Sequence, residues 1–346
     1  MADSASRVTA VGGGSGLAVL LRGLKRYARV PDQLNAVVTV ADDGGSSGRL
    51  RRELGVLPPG DIRSCIVALA DDEDLLARLF QYRFRNGRGL SGHSFGNLFL
   101  TALTDVTGDF YQAILTAEQI LSVRGRILPA TLQDVRLRGA GLSGRIYEGE
   151  SAVGKSGEPM ASLRLEPPNA PAFPPAVSSL LQSDVIVLGP GSLYTSIVPN
   201  LLIPGIRQAI ERSGARVVVA LNLMTQPGET DRLDVLGHLE ALETHVGKRL
   251  ASTVLVNSRR PSRELLERYA RAGAAWLEVD SRAIREAGWR VVEEDLLLED
   301  DELVRHDPDK LARAVLELAS PEARSRLSQE TPSPTGQLTP VPPRPQ

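Results

Sequence analysis

The sequence holds a single cysteine, Cys65, among 346 residues. That excludes an internal disulfide framework and fits a reducing compartment. Cys65 lies in the apolar run Cys65-Ile66-Val67-Ala68-Leu69, which predicts a buried structural thiol rather than a nucleophile. No apolar run approaches membrane-spanning length, and the polar opening Met1 to Ser6 lacks the apolar core of a signal peptide. The expectation is a cytoplasmic protein with no membrane insertion. Neither sign of charge is in excess: the formal net charge is -2, so bulk electrostatics recruit neither nucleic acid nor an acidic membrane. No second histidine or cysteine stands at metal-site spacing from His93, which argues against zinc. Ser94 is not in a Gly-x-Ser-x-Gly elbow, which argues against serine hydrolysis. No internal repeat is present.

What is present is alternation. Val8–Val11 reads as a strand, followed by a helix over Leu17–Tyr27 with Leu17, Leu20, Leu21 and Leu24 on one face. Asn35–Val40 reads as the next strand. Helical patterns follow over Asp61–Gln81, His93–Thr104 and Asp109–Leu121. From 126 to 165 the texture changes to short segments such as Thr131–Arg138 and Arg145–Glu148, punctuated by glycines, which predicts a β-rich insertion. After a proline-heavy link, Asp184–Leu188 and Arg216–Ala220 are two very apolar runs, as parallel strands covered on both faces should be. Thr253–Val256, Ala275–Val279 and Trp289–Val292 read as later strands, with a helix over Ser262–Ala272. Asp307 and Pro308 open a last helix carrying Leu311, Val315 and Leu318 on one face. The pattern predicts an α/β fold, a Rossmann-like doubly wound and mostly parallel sheet with a small β-rich insertion, over residues 8–320. Residues 1–7 and the Pro/Ser/Thr-rich stretch 321–346 read as disordered. The leucine-rich face Leu75–Leu79 suits a core, with a homodimer interface as the alternative.

In such sheets ligands bind at the carboxyl ends of the strands, and most of five polar clusters follow such ends. Gly12, Gly13, Gly14, Ser15 and Gly16 turn the first strand into a helix, where free N–H groups and the helix dipole favour an anion. Leu17 stands where the dinucleotide motif needs Gly or Ala, and no Lys-Ser/Thr follows as in a P-loop. After the second strand come Asp42, Asp43, Gly44, Ser46 and Arg49. One carboxylate suits the turn, and the other suits Mg2+ against phosphate oxygens. Arg49, Arg51 and Arg52 read as a solvated helix face, or as phosphate partners. His93, Ser94 and Asn97 open a helix together, which favours ligand contact. Gly189, Gly191, Ser192 and Thr195 repeat the strand, glycine turn and hydroxyl order of the first cluster. Asn222, Thr225 and Gln226 offer donors and acceptors suited to a base edge or sugar hydroxyls. Each cluster alone also reads as an ordinary turn.

Taken in order, these five segments resemble the gluconeogenesis factor family, the YvcK-type proteins, and more distantly the CofD-type 2-phospho-L-lactate transferases. The resemblance covers about Val8 to Ala319. It implies a cytoplasmic protein that binds a UDP-sugar or related nucleotide, affects cell shape and growth on gluconeogenic carbon, and signals to a cell-wall regulatory partner without an established reaction. By the same resemblance to the transferases, Asp42 and Asp43 would hold a divalent metal, with Mg2+ the candidate. A Mg2+-dependent transferase is the competing reading. An NAD-dependent oxidoreductase fits the opening turn but lacks the third glycine.

Overall fold

The computed structural model describes residues 6–28, 31–70, 75–87, 89–299 and 303–319. The sequence readings for 1–5, 71–74 and 321–346 lie outside them. The strands are β1 (Val8–Gly12), β2 (Leu34–Val38), β3 (Arg126–Pro129), β4 (Arg136–Gly141), β5 (Ile146–Glu148), β6 (Met160–Glu166), β7 (Val185–Leu188), β8 (Arg216–Ala220), β9 (Thr253–Asn257), β10 (Arg290–Glu294), β11 (Leu297–Glu299) and β12 (Val304–His306). Seven of them form one sheet in the order β3-β2-β1-β7-β8-β9-β10, and every neighbouring pair is parallel. The fold is α/β, with a seven-stranded parallel central sheet.

Apolar runs form these strands because both faces of the sheet are covered. Successive side chains point to opposite faces. Ala36 and Val38, Val185 and Val187, and Leu255 enter one core. Val37, Ile186, Leu188, Val254 and Val256 enter the other. The first core is closed by helices α1 (Gly14–Leu24) and α3 (Gly60–Leu69), with Leu311, Val315 and Leu318 of the helix Pro308–Ala319. Cys65 is buried there, as its apolar setting predicts. The remaining helices of the first half are α2 (Gly45–Leu54), α4 (Leu75–Gln81), α5 (Phe95–Thr107) and α6 (Phe110–Ile120). A four-residue helix, α7 (Glu150–Val153), follows β5. Among the described residues, no helix is long and apolar enough to cross a membrane.

Several local readings need correction. Arg126–Pro129 pairs with β2 and closes the main sheet, so the separate antiparallel sheet β5-β4-β6 begins only at Arg136. The residues before it turn, with the Thr131 hydroxyl accepting the Gln133 N–H. Ala275–Val279 is not a sheet strand. Trp276 only bridges Met224, because β10 takes the place beside β9. The helix expected over Asp61–Gln81 stops at Leu69, where Ala70 turns extended. Leu75 and Leu79 are 68% and 37% exposed, so their side chains are not core. Arg51 is no solvated side chain: it is buried, donates to the Val135 carbonyl at 2.6 Å and pairs with Asp134.

Candidate ligand-binding cleft

In this strand order the chain runs from β1 outward to β2 and β3, then returns to the other flank of β1 as β7. Connections leave β1 and β7 in opposite directions, which opens a crevice above their carboxyl ends. A cleft of about 680 Å3 lies there. Of the residues singled out in the sequence, Gly13, Gly14, Ser15, Gly16, Asp42, Gly191, Ser192, Thr195, Asn222, Thr225 and Gln226 line it. Gly12, Asp43, Gly44, Ser46, His93, Ser94, Asn97 and Gly189 are not in its wall.

Two glycines let the elements close up. A Cβ on Gly16 would stand 2.6 Å from the Pro190 carbonyl oxygen and 2.8 Å from the Gly191 Cα. Those are backbone atoms that cannot swing aside. A Cβ on Gly13 would stand 2.3 Å from Asp61 Oδ2. The first glycine turn is thus packed against the second, and against a carboxylate delivered by α3. Gly16→Ala should therefore push the two loops apart and lower stability by about 1–3 kcal/mol, as overpacking does. A urea midpoint equal to that of the unmodified protein would disprove the contact.

Carboxylates dominate one wall. Asp42 Oδ1 accepts the Gly44 N–H at 2.8 Å, and burial raises its pKa despite that bond. Asp61 is pushed up to about 7, by burial first and by the Asp42 charge second, while the Gly14 N–H and Arg63 oppose the shift. Glu150 is also pushed up to about 7, by burial and then by Asp42, Asp61 and Asp43. Asp43 has a different place. Its Oδ1 accepts the Ser151 N–H at 2.9 Å at the start of α7.

For Mg2+ the donor chemistry fits, since the ion is usually held by one or two carboxylates completed by water and ligand phosphate oxygens. Asp42 and Asp61 would hold it, rather than the adjacent pair Asp42 and Asp43. The ion would supply positive charge against phosphate. Among the described residues, no three carboxylate, imidazole or thiol side chains are grouped to bind a metal on their own.

The opposite wall is cross-linked internally. The Ser192 hydroxyl donates to Glu229 at 2.5 Å, and Glu229 Oε1 accepts the Tyr194 N–H at 2.7 Å. Burial raises the Glu229 pKa. Asn222 clasps the backbone of Gly191 in the second turn on both sides: its Oδ1 accepts the Gly191 N–H at 3.0 Å and its Nδ2 donates to the Gly191 carbonyl at 2.9 Å. Thr225 Oγ1 accepts the Ala275 N–H at 2.8 Å. These side chains border the cleft, yet much of their hydrogen-bonding capacity shapes its loops.

The cluster at the start of α5 locks two helices together. Ser94 caps α5 by accepting the Asn97 N–H at 3.1 Å. Asn97 Nδ2 donates to Ser47 at 3.3 Å, and His93 Nδ1 lies 3.0 Å from the Ser46 hydroxyl. Burial, then the Arg49 charge, lowers the His93 pKa.

The cleft also takes Asp61, Glu150, Ser151, Lys155, Ser196, Glu229, Tyr269, Arg305 and His306, which the sequence reading did not select. Asp61 had one signal, its position opening a helix after Pro58-Pro59-Gly60. Tyr269 and Arg305 had none. The Tyr269 hydroxyl accepts the Val304 N–H at 3.0 Å and so ties its helix to the β11–β12 hairpin. His306, buried there, is pushed down to about 4 by desolvation.

Fold and cleft together define a doubly wound α/β protein with a polar cleft at the switch point of a parallel sheet. The chain belongs to the family described as 2-phospho-L-lactate transferase CofD, whose model matches residues 8–297, and within it to the gluconeogenesis factors. A gluconeogenesis factor of Halalkalibacterium halodurans is 45% identical over 310 residues, 90% of this chain and 95% of that protein. One of Bacillus subtilis is 41% identical over 312 residues, 90% of this chain and 98% of that protein. A crystal structure of a Bacillus halodurans protein, 44% identical, superposes with a TM-score of 0.86, covering 90% of this chain and 99% of that one.

Proposed function

We propose that the protein binds a UDP-sugar in the switch-point cleft and acts as a cytoplasmic regulator of cell shape and cell-wall homeostasis during growth on gluconeogenic carbon. The observation that carries this reading is the packing of two glycine turns across one cleft of about 680 Å3. Such a cleft is of the size that small-molecule sites have, about 300–1,000 Å3. The N-terminus of α1 suits a phosphate, and Lys155 and Arg305 add positive charge to the wall. Acidic and amide side chains opposite suit sugar hydroxyls. The relatives' name supports the metabolic setting. The bound state would be passed to a cell-wall regulatory protein.

A second reading, a Mg2+-dependent transferase of a phosphorylated or nucleotide-linked substrate, is favoured by one observation. Asp42, Asp61 and Glu150 all line the cleft beside the glycine turn, with the pKa of each raised. Calorimetric titration with UDP-N-acetylglucosamine, GDP, NAD and 2-phospho-L-lactate, each with and without Mg2+, tests both. The expected result is saturable binding of the UDP-sugar, recovered unchanged. No heat at millimolar UDP-sugar would sink the first reading, and metal-dependent consumption of a substrate would establish the second.

A further inference from the structure

A second cavity, of about 460 Å3, lies beside the first turns of α1. It shares Ser15, Gly16, Arg305 and His306 with the main cleft. The two differ in charge. The main cleft is lined by Asp42, Asp61, Glu150 and Glu229. The described lining of the second carries Arg22, Arg63 and Arg305 and no carboxylate. Arg63 donates one hydrogen bond to its neighbour Ser64, and its Nε is buried without a partner. The Nε2 of His306, on the shared rim, is likewise buried without one. Ala18, Val19 and Val67 supply an apolar face.

Three guanidinium groups around one cavity repel one another, and a buried donor without an acceptor costs free energy. Both costs fall when a multiply charged anion enters. Guanidinium forks match phosphate and carboxylate oxygens, and the apolar face suits a short carbon skeleton. We propose that this chamber binds a small polyanionic metabolite, a phosphorylated or carboxylated acid, beside the ligand of the main cleft. The occupant would act as an effector or co-ligand of the protein, contacting Arg22 and Arg63.

This inference stands apart from the identity of the main-cleft ligand. It is tested by titrating the full chain with phosphoenolpyruvate, inorganic phosphate and pyruvate, in the absence and presence of saturating UDP-N-acetylglucosamine. Phosphoenolpyruvate, which carries both groups, should bind once per chain under both conditions. The two simpler probes report which group is held: phosphate binding alone assigns the guanidinium groups to phosphate, and pyruvate binding alone assigns them to carboxylate. Arg22→Ala and Arg63→Met should each weaken the anion by about tenfold or more, the loss expected for one charge-assisted hydrogen bond. Arg22→Ala, whose residue lines only the second cavity, should leave UDP-sugar affinity unchanged. Arg22 is half-buried in the last turn of α1, so its variant reports on binding even if Arg63→Met impairs folding. Absence of binding by all three anions, competition with the UDP-sugar, or unchanged anion affinity in Arg22→Ala would overturn the proposal. If the UDP-sugar itself fails to bind, the function proposed above falls, and the anion titrations of the free protein still decide this one.

Discussion

Raising the pH from about 5 to about 8 should cost the ligand-free protein on the order of 3 kcal/mol of stability at each of Asp61 and Glu150, against the smaller gain that His306, pushed down to about 4, makes over the same range. Asp61 is pushed up from its ordinary value of 3.8 to about 7 in the fold, and Glu150 from 4.5 to about 7. Between those values the folded state binds more protons than the unfolded one, so stability falls as pH rises. The contribution is fully present below the unfolded pKa and is lost as pH rises through about 7. The two groups repel each other, so their effects will not simply add. Asp61→Asn and Glu150→Gln should each flatten the profile and raise stability at the alkaline end. Asn at 61 keeps an oxygen for the Gly14 N–H, so the loop need not move. Mg2+ should also flatten the profile by offsetting the charges. Urea midpoints that depend on pH in Asp61→Asn and Glu150→Gln just as they do in the wild type would refute these two groups as the source.

The sheet was legible because parallel strands covered on both faces read as apolar runs, and the glycine turns mark where those runs stop. Asp42 was legible for the same reason. Its neighbour Asp43 shows where that reasoning ends. Adjacent residues leaving a strand tend to point to opposite sides, and Asp43 meets the Ser151 N–H instead of lining the cleft. The partners of Asp42 come from α3 and α7, and their approach is fixed by packing rather than by spacing in the chain. Asn222 and Ser192 carry a related lesson. Their polarity marks the cleft correctly, but the same polarity is what the glycine turns need to hold their own shape. His93, Ser94 and Asn97 were read as ligand contacts because they open a helix together. Capping and helix-to-helix hydrogen bonds account for that arrangement. Arg305 and His306 sit on a short hairpin, where no periodicity announces a site.

Glu229→Ala should cost about 3 kcal/mol of stability, the order expected when a buried hydrogen-bonded acid is removed and its donors are left behind. Glu229 is 5% exposed and anchors the turn after β7. It takes the Ser192 hydroxyl and the Tyr194 N–H, and alanine offers neither an acceptor. Glu229→Gln preserves the volume and one acceptor for Tyr194, so its cost should be smaller, about 1 kcal/mol. The pH dependence separates charge from shape. Because burial raises the Glu229 pKa, the ionised wild-type side chain carries a desolvation cost that glutamine lacks. The stability gap between wild type and Glu229→Gln should therefore narrow as pH rises, whereas the alanine variant, which also loses the packing and the acceptors, should remain the less stable of the two at every pH. Since the same turn carries Ser192 and Thr195 into the cleft, Glu229→Ala should weaken UDP-sugar binding as well, with glutamine close to wild type. Equal urea midpoints for the alanine and glutamine variants would show that neither the volume nor the acceptor that glutamine keeps supports the wall, and would overturn this role for Glu229.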